Sequence, residues 1–235
     1  WKWDAKDRKW TAKKDIYTKH FGQIIDVKDH LVPKIDKNNN MWLPSLRLQP
    51  QFLKYNVDTD ESILIDLWDT LIASKKYGDS ADLYNKYFFM LPTEIIQGII
   101  FARNIYILEE TGDIFYIIYL FPDNELNLVG GYGVFRFNPN DVANDNDVYD
   151  FRKILNKKGS NVASNVAITQ YNGDIYVIEF DNNHYNKFFK YNPDTKQFED
   201  TKIFDSIVDK KKPPPFVIDS SGNYITLIVT QGQTY

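Results

Sequence analysis

The chain has 235 residues, of which 43% are hydrophobic, 26% charged and 16% aromatic, and it contains no cysteine. This length accommodates one well-packed domain or two small ones, and the lack of cysteine excludes disulfides, thiolate metal sites and cysteine nucleophiles. The 28 Lys and Arg against 32 Asp and Glu give a net charge of −4. The basic excess of proteins that bind nucleic acid is missing, so we expect no nucleic-acid partner.

The chain starts at Trp1 rather than at a methionine, and no basic segment with a following apolar run marks a signal peptide. The chain is therefore either processed or a fragment, and we favour a secreted or cell-surface location over the cytoplasm. The longest apolar run, Ile114 to Phe121, has eight residues. A membrane-spanning helix needs about 20, so we expect no insertion into a membrane.

Four segments along the chain share one pattern, an alternating strand followed by a polar turn. Each contains aromatic residues beside Lys or Arg, and then Asn or Asp, which favour turns. A further aromatic follows seven residues later in two copies, from Trp3 to Trp10 and from Tyr191 to Phe198. Each copy therefore predicts a strand, a turn and a second strand. In chain order the copies are residues 1–7 (WKWDAKD), 52–59 (FLKYNVDT), 134–141 (VFRFNPND) and 188–195 (FFKYNPDT).

A second repeated element precedes these segments in the circular order of the chain. A polar turn, with glycine in three copies, leads into β-branched and aromatic residues, which is typical of a β-hairpin. Together the two elements predict at least three consecutive antiparallel strands in each repeat. The copies of this second element are residues 39–43 (NNMWL), 111–116 (TGDIFY), 172–177 (NGDIYV) and 221–226 (SGNYIT).

The spacing of the repeats predicts a closed ring. The last turn, at residues 221–226, has no copy of the other element after it, but the segment around Trp3 can supply one if the chain ends meet. Four-stranded sheets arranged radially are the blades of a β-propeller. We therefore predict an all-β fold, a β-propeller of four recognisable blades over residues 1–235, closed by N-terminal strands that complete the C-terminal blade. Five blades and an ordinary β-sandwich are the alternatives.

One interval between repeats is longer than the others. The aromatics Trp3, Tyr55, Phe137 and Tyr191 are separated by 52, 82 and 54 residues, and a blade of this type spans about 50. We predict a helical insertion around residues 71–93, because residues 79–89 begin with a capping Asp and continue with helical spacing. After it, residues 94–102 and 104–108 each predict a strand.

The repeat formed by residues 172–177 and 188–195 resembles a known family. Residues 172–177 followed by Tyr-Asn-Pro-Asp-Thr at 191–195 and Phe198 resemble the blade of kelch-type propellers. The pair Gly130-Gly131 before Tyr132 is the one copy that keeps the double glycine of that pattern. The resemblance to a diverged kelch-like repeat extends over about two thirds of the chain and implies a fold, not an activity.

No pattern in the sequence points to catalysis or to a bound cofactor. The histidines, His20, His30 and His184, lack the spacing that places two of them on one metal ion. A dense group of carboxylates is a candidate Ca²⁺ site, with a solvated acidic loop as the alternative. The group comprises Asp141, Asp145, Asp147 and Asp150.

Loops between the second and third strands of propeller blades open on one face, and such loops commonly bind ligands. Here they offer amide, carboxylate and aromatic groups that suit a protein or glycan ligand. We interpret the chain as a non-catalytic binding propeller. The alternatives are a hydrolase or lactonase with Ca²⁺ and carboxylates such as Glu94 in a central channel, and a structural subunit of an assembly. The candidate ligand-binding residues are Asp123, Glu125, Tyr132, Asp181, Asn182, Asn183, His184, Tyr185, Gln231 and Gln233.

Overall fold

A computed structural model of the chain shows an all-β architecture whose main parts are three antiparallel sheets, here called A, B and C. The structure describes residues 2–4, 9–11, 33–44, 51–88, 95–96, 99–100, 105–159, 163–180, 185–202, 216–218 and 224–226. Side chains are described for residues 33–44, 51–83, 85–87, 105–159, 163–180 and 187–202.

Sheet A has four strands that are neighbours in chain order. Its second strand is central to the site described below, because Trp42 lies opposite Lys34 on the first strand and opposite Lys54 on the third. These three residues therefore form one row across the same face of the sheet. The strands are β3 (Lys34–Ile35), β4 (Asn40–Pro44), β5 (Gln51–Asn56) and β6 (Ser62–Asp66).

Sheet B repeats this order, with an additional short strand on one edge. Strand β7 (Tyr87–Phe88) pairs with the far end of the second strand, beyond the residues that pair with the first. The four main strands are β10 (Tyr106–Ile107), β11 (Ile114–Leu120), β12 (Gly131–Phe137) and β13 (Asn146–Tyr149).

Sheet C has the same four-stranded order. The predicted aromatic pair is present, since Tyr191 of the third strand lies opposite Phe198 of the fourth. The strands are β14 (Asn165–Tyr171), β15 (Asp174–Phe180), β16 (Tyr185–Asn192) and β17 (Gln197–Asp200).

Three hairpins complete the described strands. In the hairpin of β1 (Lys2–Asp4) and β2 (Lys9–Thr11), Trp3 lies opposite Trp10, as the sequence predicts. Strands β8 (Ile95–Ile96) and β9 (Ile99–Ile100) pair with each other. The single strand predicted over residues 94–102 is therefore wrong, because this apolar segment folds back on itself. The third hairpin consists of β18 (Phe216–Ile218) and β19 (Tyr224–Thr226).

Two of the helices lie in the long interval between sheets A and B. Helix α1 (Leu67–Ser74) follows β6 directly, with Asp66 as its N-cap. Helix α2 (Ser80–Lys86) begins after Asp79, and a capping box with Asp82 satisfies its first backbone N–H groups. This helix lies where the sequence predicts one. The third helix, α3 (Phe151–Ile154), follows sheet B.

The turn after the third strand is the same in all three sheets, which confirms the repeat at the level of hydrogen bonds. An asparagine side chain accepts a hydrogen bond from the backbone N–H two residues later, at 2.9 Å for Asn56, 2.9 Å for Asn138 and 3.0 Å for Asn192. Asparagine is favoured here because its side-chain oxygen stabilises a tight turn. The residues before these asparagines, Tyr55, Phe137 and Tyr191, are buried.

Consecutive sheets pack face to face. The core between A and B contains Trp42 and Phe52 of sheet A, with helix α1 at its side and alternate residues of β11 such as Tyr116 on sheet B. The core between B and C uses the other residues of β11, including Phe115, against sheet C. Sheet B is thus buried on both faces, which explains the uninterrupted apolar run of β11.

Candidate functional site

A cavity of about 390 Å³ opens between sheets A and B; we call it the intersheet cavity. It lies at the end of the sheets where each first strand turns into the second. Its walls are the β3–β4 turn, the β10–β11 turn and the turn after β12, with Gln170 of sheet C at the edge. First strands of all three sheets therefore contribute to this one opening.

The sheet A side of the cavity is the row of Lys34, Trp42 and Lys54. The indole of Trp42 is buried, with an exposed fraction of 1%. The Nζ atom of Lys54 lies 5.5 Å from the centre of this indole, and that of Lys34 lies 5.7 Å from the ring of Tyr106. Both ammonium groups are held by cation–π contacts to the chain's own aromatics.

Asp36 organises the turn at the mouth of the cavity. Its carboxylate accepts hydrogen bonds from the backbone N–H groups of Asn38 at 2.9 Å and Asn40 at 3.0 Å, from the Asn40 side chain, and from Nε1 of Trp42 at 2.9 Å. Partial burial raises the pKa of Asp36, but the donors of Trp42 and Asn40 outweigh it, so this pKa lies below its ordinary value. The carboxylate therefore stabilises the turn through these hydrogen bonds.

Replacing Asp36 with alanine is expected to lower the free energy of unfolding by about 1–3 kcal/mol, because Trp42 Nε1 and Asn40 lose their acceptor. The pKa is lower in the folded chain than in the unfolded one. The stability that the ionised Asp36 carboxylate contributes is therefore present above about pH 4 and is lost as the pH falls through the lowered pKa. Urea denaturation at about pH 5 and pH 3 should show a smaller pH dependence for Asp36→Asn than for the wild type. An equal dependence would contradict this role.

Hydrogen bonds between sheets set the shape of the cavity. The side chain of Gln170 donates to the carbonyl of Ile107 at 2.7 Å, which joins sheets C and B. The ammonium of Lys37 donates to the carbonyl of Glu110 at 3.3 Å, which joins sheets A and B. The walls are therefore tied together by polar groups at their rims, and the cavity belongs to the packed sheets rather than to a single loop.

The corresponding place between sheets B and C is filled by Arg136. Its guanidinium is buried and donates to the carboxylates of Asp113 at 2.7 Å and Asp147 at 2.6 Å, and also to Asp145. Lys196 of sheet C binds the same Asp145 at 2.8 Å. Burial lowers the pKa of Arg136, but the three carboxylates outweigh it and the pKa is raised overall.

The proposed Ca²⁺ carboxylates serve groups of the chain itself. Asp145 and Asp147 bind Arg136, Asp150 caps α3 and pairs with Arg152 at 2.8 Å, and Asp141 accepts from Asn144 at 2.9 Å. Within the described part of the chain, no group of three or more His, Cys, Asp or Glu side chains is arranged to hold a metal ion.

The side chains of three predicted ligand residues are described, and they lie at the other end of sheet B. Tyr132 packs against Tyr119 with ring centres 5.4 Å apart, Asp123 pairs with Lys153 at 3.0 Å, and Glu125 is exposed. The seven residues of β11 separate this end from the intersheet cavity, a distance of roughly 20 Å. The structure therefore places its cavity away from the loops that the sequence favours.

The other predicted residues fall outside the described side chains. Asp181, Asn182, Asn183, His184, Gln231, Gln233 and the alternative candidate Glu94 lie outside the described residues. The backbone of Tyr185 is the first residue of β16, but its side chain is not described.

The sequence analysis missed a buried carboxylate at the end of the sheets where it predicted the ligand-binding loops. Glu179 of β15 is fully buried between sheets B and C, where Lys157 binds it at 2.6 Å and the hydroxyl of Ser164 donates to it. Its position on an otherwise apolar strand is the available signal, since a buried carboxylate requires partners. Lys157 and Ser164 supply them, so Glu179 holds the segment between α3 and β14 against strand β15.

Comparison with known proteins adds no further constraint. The sequence matches no known protein family, and neither a curated protein nor a solved structure matches it. In the described residues, no helix has the length and apolar character needed to cross a membrane.

Proposed function

We propose that this chain is a non-catalytic binding protein that holds a glycan in the intersheet cavity. The observation that carries the proposal is the cavity itself, whose volume of about 390 Å³ falls within the range of roughly 300–1,000 Å³ of small-molecule pockets. Lysine, asparagine, glutamine, threonine, aspartate and glutamate side chains line it, and these groups suit the hydroxyl groups of a sugar.

A glycan fits this cavity better than a protein surface does. A stable protein partner covers about 800 Å² on each side of an interface, whereas this opening is concave and framed by three turns. A binding role is also supported by the state of Asp36, whose carboxylate accepts hydrogen bonds from Asn38, Asn40 and Trp42. These donors leave the carboxylate poorly placed to exchange a proton with a substrate.

A glycan array tests this proposal when it compares the wild type with a variant that blocks the cavity. Asn140→Trp places a bulky side chain in the exposed turn that forms one wall, and we expect it to abolish binding. Glu125→Trp makes the same change on the exposed loop at the other end of sheet B and should leave binding unchanged. Binding that survives Asn140→Trp and is lost in Glu125→Trp would instead support the loops predicted from sequence.

We further propose that sheets A, B and C are consecutive blades of a kelch-like propeller with four blades. The hairpin β18–β19 has the register of first and second strands, and the hairpin β1–β2 has that of third and fourth strands. The two hairpins together would form the fourth blade. By analogy with Tyr176 opposite Lys190 in sheet C, Ile225 would lie opposite Lys2.

A cysteine pair tests this ring closure, because the chain has no cysteine of its own. We expect Lys2→Cys with Ile225→Cys to form an intramolecular disulfide under mild oxidation, visible by mass spectrometry. In the matched pair Lys2→Cys with Val217→Cys, the second cysteine would lie one strand further from residue 2. This pair should not form a disulfide, since Cα atoms more than about 7 Å apart cannot be bridged. A ring is contradicted if neither pair links the chain ends.

A further inference from the structure

We infer that the saccharide bound in the intersheet cavity is acidic, and that the ammonium of Lys54 binds its carboxylate or sulfate group. This inference rests on the proposed function and names the ligand class of the same site. At equivalent positions, sheets B and C have acidic residues that pair with a cation, and sheet A has neutral residues instead.

Each sheet carries a cation at the same position of its third strand, opposite an aromatic residue of the second strand. The pairs are Trp42 with Lys54, Phe115 with Arg136, and Tyr176 with Lys190. The Lys190 ammonium lies 5.9 Å from the Tyr176 ring, close to the 5.5 Å of Lys54 over Trp42. The repeat thus conserves the cation and its aromatic neighbour within this one chain.

Sheets B and C also provide an acidic partner for this cation. Two residues before the aromatic, Asp113 binds Arg136 at 2.7 Å and Asp174 binds Lys190 at 2.7 Å. On the fourth strand, the residue directly opposite the cation is Asp147 in sheet B and Glu199 in sheet C. The cation therefore has carboxylates within its own sheet.

Sheet A has neutral residues at both acidic positions. Asn40 stands where the other sheets have Asp113 and Asp174, and Ile63 lies opposite Lys54 on the fourth strand. Asn40 is neutral and cannot replace the charge of the aspartate, and its side chain is already hydrogen-bonded on both sides. Its side-chain oxygen accepts from Asn56 at 3.0 Å, and its nitrogen donates to Asp36.

Lys54 consequently faces the cavity without a salt-bridge partner among the described residues. In the described part of the chain its ammonium forms no salt bridge and has the Trp42 contact alone. Exposure to solvent does not account for this, because the Lys190 side chain is 46% exposed and is still paired. Lys34, on the same row, likewise forms no salt bridge with a described residue, so two cations flank the buried indole.

An external anion is the partner that this arrangement lacks. The cavity is small and is lined by amide and hydroxyl groups, by Lys34, Lys37 and Lys54, and by the acidic residues Asp36 and Glu109. We therefore expect the anionic group to sit on a polar, hydroxyl-rich molecule. A uronic acid, a sialic acid or a sulfated sugar has this chemistry. Charge-assisted hydrogen bonds to a carboxylate or sulfate are stronger than those to a neutral hydroxyl.

The test is an array of matched oligosaccharides in which each uronic, sialylated or sulfated member is printed beside its methyl-ester, desialylated or desulfated counterpart. We expect the acidic members to bind at least about tenfold more tightly than their neutral counterparts. Lys54→Gln should remove this preference. Lys190→Gln, the equivalent change in sheet C, should leave it intact.

A second variant supplies the missing charge from within the chain. Ile63→Glu places a carboxylate at the position of Asp147 and Glu199, and the 59% exposure of Ile63 makes the substitution tolerable for folding. We expect Ile63→Glu to weaken binding of the acidic members about tenfold and Ile63→Gln to leave it unchanged, because only the former pairs with Lys54.

The outcomes separate the two claims. Equal binding of acidic and neutral members, with Lys54→Gln unaffected and Asn140→Trp inactive, would overturn the acidic ligand and leave glycan binding in the cavity standing. Absence of binding to every saccharide, or binding that Asn140→Trp does not change, would overturn the proposed function and the acidic ligand with it.

Discussion

Replacement of Arg136 by alanine is expected to lower the free energy of unfolding by about 3–5 kcal/mol, the usual cost of removing one partner from a buried ion pair. The guanidinium side chain is 1% exposed, and Asp113 beside it is 4% exposed. Without Arg136, Asp113 is buried without a counter-charge, and Asp145 and Asp147 lose the cation between them. Chemical denaturation at neutral pH measures this loss.

The matched control is Lys190→Ala, which removes the equivalent cation of sheet C. That pair with Asp174 is solvent-exposed, with 46% and 35% of the two side chains accessible, and exposed pairs contribute less than about 1 kcal/mol. The double variant Arg136→Met with Asp113→Asn should recover part of the loss, because it removes the unpaired buried charge. If Arg136→Ala costs no more than Lys190→Ala, the Arg136 ion pairs are not buried between sheets B and C as described.

The second large effect is expected for Phe52→Ala, which should cost about 3–5 kcal/mol. Phe52 is buried between sheets A and B, with ring centres 5.4 Å from Tyr116 and 5.1 Å from Phe137. Removing the ring leaves a void between two sheets that cannot close without moving one against the other. Urea denaturation monitored by tryptophan fluorescence reports the change, since Trp42 and Trp68 share this core.

Ile63→Ala is the control for this prediction. Ile63 lies on the neighbouring strand and is 59% exposed, so its truncation is expected to change the free energy of unfolding by less than about 0.5 kcal/mol. A similar cost for the two variants would mean that sheet A is not packed on sheet B through Phe52.

The parts of the fold that the sequence predicts correctly depend on local chemistry. Asn56, Asn138 and Asn192 hold their turns with their own side chains, so the pattern can be recognised without the rest of the chain. The same is true of Asp79, whose capping box lies within four residues. The alternation of aromatic and basic residues likewise predicts the third strands of sheets A and C.

Other elements are set by contacts that a local pattern does not contain. The sequence does not predict that helix α1 begins at Leu67. Strand β6 ends at Asp66, and no glycine or proline separates the strand from the helix. The segment around Ile95 and Ile99 is apolar enough for one strand, but it pairs with itself. The choice between a strand and a hairpin depends on which partners are available.

The candidate site could be predicted in part. A cavity between two sheets depends on how the side chains of both fill the space, and no single segment encodes this. The difference in charge between sheet A and the other two sheets, however, can be recognised by aligning the repeats, since Asn40 and Ile63 stand where sheets B and C have acidic residues. The sequence interpretation followed the polar loops around Tyr132 instead, because loops of that kind often bind ligands.

The position of the ligand is tested most directly by nuclear magnetic resonance, with the tightest-binding saccharide of the array titrated into the ¹⁵N-labelled protein. We predict that the largest shifts fall on the indole N–H of Trp42 and on the backbone amides of Gly112 and Asn140, at the intersheet cavity. Leu126 and Gly130, at the opposite end of sheet B, should not move. Shifts confined to Leu126 and Gly130, with Trp42 unchanged, would contradict a ligand site between sheets A and B.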